Sequence, residues 1–229
     1  MRFFSDQTQN TRSKLIVLIL AGCFLMALVD ASPWPYPIKA VLKMTLFISI
    51  PFFWSQRHPL WPKTDWRLPP RSLGLRLLAL ALGEIGLLVG VMLVVLPVVD
   101  TSLLEGILRE NFEGQPLVFL GVTFYIVVIN AGLEEWYFRG FAYLRLRQAL
   151  PKRWALIFSA SLFSAYHLAL MAGLFPLPWY AGFVIGLAAV GAFFGWIDDR
   201  FNSLWPSFVI HASANLAMNL VAMHLLGFL

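Results

Sequence analysis

Seven apolar runs recur along the 229-residue chain, near residues 15–30, 38–55, 74–98, 116–145, 154–173, 179–197 and 204–226. Each is long enough, or nearly so, to cross a hydrocarbon layer that a helix spans with about 20 residues. Backbone inside lipid must satisfy its N–H and C=O groups within its own segment, so runs of this length and number dictate helices. The expected fold is all-α: a polytopic membrane bundle of about seven transmembrane helices, read as a single integral membrane domain over residues 1–229. Composition agrees, with 59% hydrophobic and only 13% charged residues, where a soluble domain has roughly a quarter charged. The second run is the weakest because it contains Lys43 and Pro51, so a tilted or partly interfacial helix is expected there. The fourth is longer than a span and is expected to project beyond the bilayer.

The net charge of +5 is not a nucleic-acid signal, because the basic residues fall between apolar runs rather than on one soluble face. Arg2, Arg12 and Lys14 precede the first run; Arg57, Lys63, Arg67, Arg71 and Arg76 follow the second; Arg145, Arg147, Lys152 and Arg153 follow the fourth. The alternate connections hold Asp30 among prolines, then Asp100, Glu105, Glu110 and Glu113 against Arg109, then the uncharged stretch from Phe175 to Trp179. Lysine and arginine mark cytoplasmic connections, so the N-terminus is expected in the cytoplasm and the C-terminus outside. Cys23 is the single cysteine, which excludes an internal disulfide framework and any paired-cysteine zinc or redox motif. Leu20-Ala21-Gly22-Cys23 resembles a lipoprotein cleavage box, but the apolar run continues past it through Val29, and a cleaved signal ends its apolar part near the cut.

Three polar islands interrupt this sequence: Glu134-Glu135 with Arg139, then Phe163-Ser164-Ala165-Tyr166-His167, then His211-Ala212-Ser213-Ala214-Asn215. Ionisable groups within membrane spans are costly and by default mark function. At 1.5 Å rise per residue, Glu134 lies about 16 Å from Arg145, His211 about 13 Å from Asn202 and His167 about 21 Å from Arg153. Three spans therefore bring polar groups to similar depth. Residues four apart share a helical face, so Glu135 and Arg139 are expected to pair, which leaves Glu134 without a local counter-charge and available as a general base. His211 and Asn215 also stack on one face and offer an imidazole and an amide to one small volume, as an oxyanion site requires. Glu134, His167 and His211 are equally ordinary ligands for a divalent metal such as zinc, and the residues alone leave the two chemistries open. Glu84, inside the third run, reads either as a partner for Arg139 or as a buried neutral acid; His224 reads as interfacial. The chain has no His-Glu-x-x-His helix, no Gly-x-Gly-Asp and no Gly-x-Ser-x-Gly elbow, which excludes those proteolytic classes.

Glu134-Glu135-x-x-x-Arg139, Phe163-x-x-x-His167 and His211-x-x-x-Asn215, in that order and within about residues 115–229, resemble the CAAX-processing and bacteriocin-processing (CPBP, formerly ABI) intramembrane proteases. The resemblance implies an all-helical membrane endopeptidase with a catalytic cavity open to the cytoplasmic side. Glu134 would activate water, His167 would lie at the catalytic centre, His211 and Asn215 would stabilise the oxyanion, and Glu135 with Arg139 would support them. Members of the family are often named metalloproteases, although metal-free, glutamate-dependent hydrolysis has been proposed for them. No permanent metal is expected here; a bound zinc would take Glu134, His167 and His211. The partners implied are the lipid bilayer and a membrane-associated or lipidated protein cut near its membrane-proximal or C-terminal segment, with no nucleic acid, in the cell (inner) membrane. Residues 1 to about 110 carry no recognised motif. The rival class is a non-enzymatic membrane protein, an immunity scaffold or a transporter with a buried polar pathway, but the paired repeats and broken helices common in transporters are missing.

Overall fold

Prolines punctuate the chain where its helices begin. In the computed structural model, which describes residues 2–57, 66–98, 100–170 and 177–229, α2 (Tyr36–Arg57) starts behind Pro35 and α3 (Arg71–Val95) behind Pro70. Each of these prolines offers its carbonyl to the N–H groups three and four residues on, at 2.9–3.2 Å. Pro116 opens a long helix itself, where its missing N–H costs nothing. Helix ends are as local in origin. Asn202 (φ 50°) and Gly227 (φ 70°) adopt the left-handed conformation just past two helices. The next N–H then reaches back five residues, from Ser203 to Asp198 O and from Phe228 to Met223 O, satisfying carbonyls that the helix leaves open.

The remaining helices are α1 (Arg2–Ala31), α4 (Ser102–Phe112), the composite α5 (Pro116–Gln148), α6 (Lys152–Leu170), α7 (Leu177–Phe201) and α8 (Trp205–Leu225), and there is no strand among the described residues. Six of the seven expected runs form helices long and apolar enough to span a membrane. The fifth run is helical as α6, but Lys152, Arg153 and a polar series from Ser159 to His167 lower its apolarity. Residues 171–173 of that run, like Lys63, Phe175 and Pro176, lie outside the described residues. The chain is a multi-pass, all-helical membrane protein.

Two compact units share these helices: residues Met1–Arg67 with Leu133–Leu204, and Leu68–Gly132 with Trp205–Leu229. The first contains α1, α2, the second half of α5, α6 and α7. Its core is aromatic, with Phe47, Tyr137, Phe138, Phe141, Phe163 and Tyr166 all buried. Asp199 closes one end of α7 by pairing with Arg147 and Lys152. α6 and α7 pack closely at Gly191, where a Cβ would stand 3.1 Å from the Ala160 Cα, a backbone atom that cannot swing aside. Gly191→Leu is therefore expected to cost about 1–3 kcal/mol by overpacking; an unfolding midpoint in detergent equal to that of the wild type would contradict this.

The second unit packs α3 against α8, with α4 and the first half of α5. Phe119 meets Phe112 edge-on at 5.2 Å and Phe228 at 6.0 Å. Arg109 of α4 donates to the Leu225 carbonyl at 3.2 Å and so ties α4 to the end of α8.

Candidate active site

Glu134 ends a single α-helical turn, Ala131–Glu134, flanked by two wider π-helical stretches, Tyr125–Asn130 and Glu135–Arg145. Such i→i+5 segments are rare and occur frequently at functional sites, because the wider turn re-aims the side chains around it. Glu134 is only 1% exposed, and its two oxygens have different surroundings. Oε1 receives the Lys43 ammonium at 2.6 Å, and Oε2 lies 3.5 Å from His167 Nε2. The sequence leaves Glu134 without a counter-charge on its own helix; the structure supplies one from α2, 91 residues away. Lys43, which reads locally as a flaw in a weak span, is the site residue that sequence reasoning missed. Its signal was the general one that an ionisable group in a span needs a partner.

His167 occupies the last turn of α6. Its Nδ1 stands 2.9 Å from the Phe163 carbonyl, which can only accept, so Nδ1 carries a proton and Nε2 is the ring nitrogen that faces Glu134. The Phe163 and Tyr166 rings, at 4.1 and 5.4 Å, fix the imidazole plane. The Phe163-x-x-x-His167 spacing thus has a physical meaning: the residue one turn back supplies both the carbonyl that sets the tautomer and the ring that packs the imidazole.

Glu135 and Arg139 pair as their four-residue spacing predicts, with Arg139 Nε 3.2 Å from Oε2 and both side chains buried. The guanidinium also lies over the Phe163 ring at 4.0 Å and the Phe194 ring at 4.9 Å. Asp198, fully buried on α7, is close enough to act on Arg139 electrostatically. Arg139 therefore joins α5 to the His167-bearing α6 and to α7 through one flat cation.

In the second unit, His211 and Asn215 lie on α8, with His211 buried. One N–H of the Asn215 amide donates to the Ile126 carbonyl in the first π-helical stretch at 3.3 Å. Asn219 Nδ2 donates to the Asn215 carbonyl at 2.8 Å and its Oδ1 accepts from Thr123 Oγ1 at 3.1 Å, which completes a polar seam between α8 and α5. Glu84 of α3 accepts a hydrogen bond from Ser213, two residues from His211. Of the two readings the sequence left open for Glu84, neither named this partner; Arg139 is engaged by Glu135. His224 is exposed near the end of α8.

Residues 116–217 match the family described as Type II CAAX prenyl endopeptidase Rce1-like. No curated protein and no solved structure matches the chain. The matched segment contains Glu134, Glu135, Arg139, His167, His211 and Asn215, whereas Lys43 and Glu84 lie outside it. The match covers 102 of the 229 residues; through this segment the chain is similar to the CAAX-protease-like family, and the similarity supports a protease that works in the membrane.

Proposed function

We propose that this protein is an endopeptidase that uses a glutamate-activated water to cut a membrane-proximal or C-terminal segment of a membrane-associated or lipidated protein. The observation that supports it most is the pairing of a buried carboxylate with an imidazole of defined tautomer, Glu134 Oε2 and His167 Nε2 3.5 Å apart. Both atoms are acceptors when the imidazole is neutral. A water donating one hydrogen to each would hold its lone pair towards a third point, where a peptide carbonyl carbon can sit. Transfer of one proton from that water to Glu134 forms the new C–O bond. Collapse of the tetrahedral intermediate then breaks the C–N bond, and the same proton passes from Glu134 to the leaving amine. His211 and the second N–H of Asn215 are the donors assigned to the developing oxyanion, a role for which donors positioned in advance are the largest single contribution in many hydrolases.

A divalent metal, where bound, would be held by Glu134, His167 and His211 and would supply Lewis-acid polarisation. His167 has the ligating tautomer, so the donor set is of the right kind. Lys43 argues against a resident ion, because its ammonium already lies 2.6 Å from Glu134 Oε1 and a dication on the same carboxylate would sit beside a like charge in a low-dielectric setting. The reading is therefore metal-free hydrolysis in the cell (inner) membrane. Purified protein in detergent or liposomes should cleave a membrane-anchored reporter peptide, contain substoichiometric zinc and keep its activity through chelation. Loss of activity on chelation with recovery on adding zinc would replace this mechanism by a metal-dependent one.

A further inference from the structure

Lys43 lies on α2, outside the segment that matches the protease family, on a helix without a recognised motif. Its side chain is nevertheless among the most constrained in the first unit. It is 7% exposed, and its ammonium stands 4.9 Å from the centroid of the Tyr166 ring and 5.7 Å from that of Phe47, within the range where aromatic faces attract a cation. Phe47 is itself fixed, stacked on Tyr137 at 4.1 Å with 11° between the planes, and Tyr137 donates to the Ile19 carbonyl at 2.8 Å. Four elements thus build a cage that delivers one positive charge to one oxygen of one carboxylate. Filling the same volume with a methionine or leucine would avoid the desolvation cost of a buried lysine, so packing alone gives no reason for a cation there.

We infer that Lys43 is a positioning residue for the hydrolysis: it anchors Glu134 through Oε1 and thereby turns Oε2 towards His167 and the attacking water. This rests on the reading of Glu134 as the base. A carboxylate held at one oxygen has a fixed direction for the lone pairs of the other. A carboxylate free to rotate about its last bond does not, and misplacing a reacting group by an ångström can cost on the order of 10²-fold in rate. Lys43 touches the base rather than the substrate, so its loss belongs in kcat and not in KM.

The test is steady-state cleavage of the anchored reporter by Lys43→Met and Lys43→Arg proteins, with kcat expressed per folded molecule. Lys43→Met is expected to lose on the order of 10²-fold in kcat with KM nearly unchanged. Lys43→Arg, which restores a cationic donor to Oε1, is expected to recover most of that loss. A Lys43→Met enzyme with wild-type kcat overturns the inference, as does a KM that rises in step with the fall in kcat, or an arginine variant no better than methionine. If Lys43→Met does not fold, Lys43→Gln decides with the same readouts: reduced kcat at unchanged KM supports the inference, and wild-type kcat overturns it. Glu134→Gln separates the two layers. An active Glu134→Gln protein removes the base itself, whereas an inactive one beside a fully active Lys43→Met protein removes only the role of Lys43.

Discussion

Glu134→Gln is expected to lower single-turnover cleavage by about 10³-fold, within the 10²–10⁴-fold that a general base contributes, while the protein still folds. The amide has nearly the shape of the carboxylate but cannot take the proton from water, so the loss should appear in the chemical step at any substrate concentration. The ion pair adds a second expectation. Glutamine removes the charge opposite Lys43 but keeps an oxygen that accepts its hydrogen bond, so the unfolding midpoint should fall by less than removal of the whole side chain would cause. Because Glu134 and Lys43 act through one carboxylate, their effects should not add: Lys43→Met placed on Glu134→Gln should lower kcat no further. A Glu134→Gln enzyme that turns over at the wild-type rate would end the assignment of Glu134 as base.

Helices are legible in this chain because lipid leaves the backbone few alternatives, and the pairing of Glu135 with Arg139 is legible because both residues lie on one helix at a spacing that forces them together. The interaction at Glu134 is of another kind. Its partner stands 91 residues earlier, and nothing in local spacing distinguishes a lysine that weakens a span from one that completes a site in a neighbouring helix. Asp198 was hidden for a related reason. The apolar run ends near residue 197, just short of Asp198, whereas α7 continues to Phe201 and carries Asp198 into the core. The π-helical stretches around Glu134 have no periodic signature either, since the same buried aromatics, Tyr137, Phe138 and Phe141, would read as the apolar face of an ordinary helix.

The N-terminal half has no catalytic motif, yet two of the three motif-bearing helices receive an ionisable side chain from it. Lys43 reaches Glu134 on α5 within the first unit, and Glu84 reaches Ser213, two residues from His211, within the second. A family pattern confined to residues 116–217 therefore contains Glu134 and His211 without Lys43 and Glu84. That division is expected where precision depends on the neighbours that lock each catalytic rotamer.

The same logic gives Glu135→Gln the largest expected effect on stability. Arg139 is fully buried, and breaking a buried ion pair from one side costs about 3–5 kcal/mol because the remaining charge keeps its desolvation penalty without its partner. Asp198 and the faces of Phe163 and Phe194 stay beside the guanidinium and should hold the loss towards the lower end of that range. Removing both charges is a different experiment from removing one. A Glu135→Leu, Arg139→Met double variant has no buried charge to strand, so it should be more stable than Glu135→Gln even though it lacks more of the native network. Unfolding midpoints of the three proteins in one detergent test the ordering. If the double variant is the least stable, Arg139 contributes through its packing between α5, α6 and α7 rather than through its charge. Activity then reports separately: Glu135→Gln protein that remains folded should keep substantial turnover, because Glu134 and His167 meet without Glu135, and a folded but inactive Glu135→Gln enzyme would assign Glu135 a part in the chemistry itself.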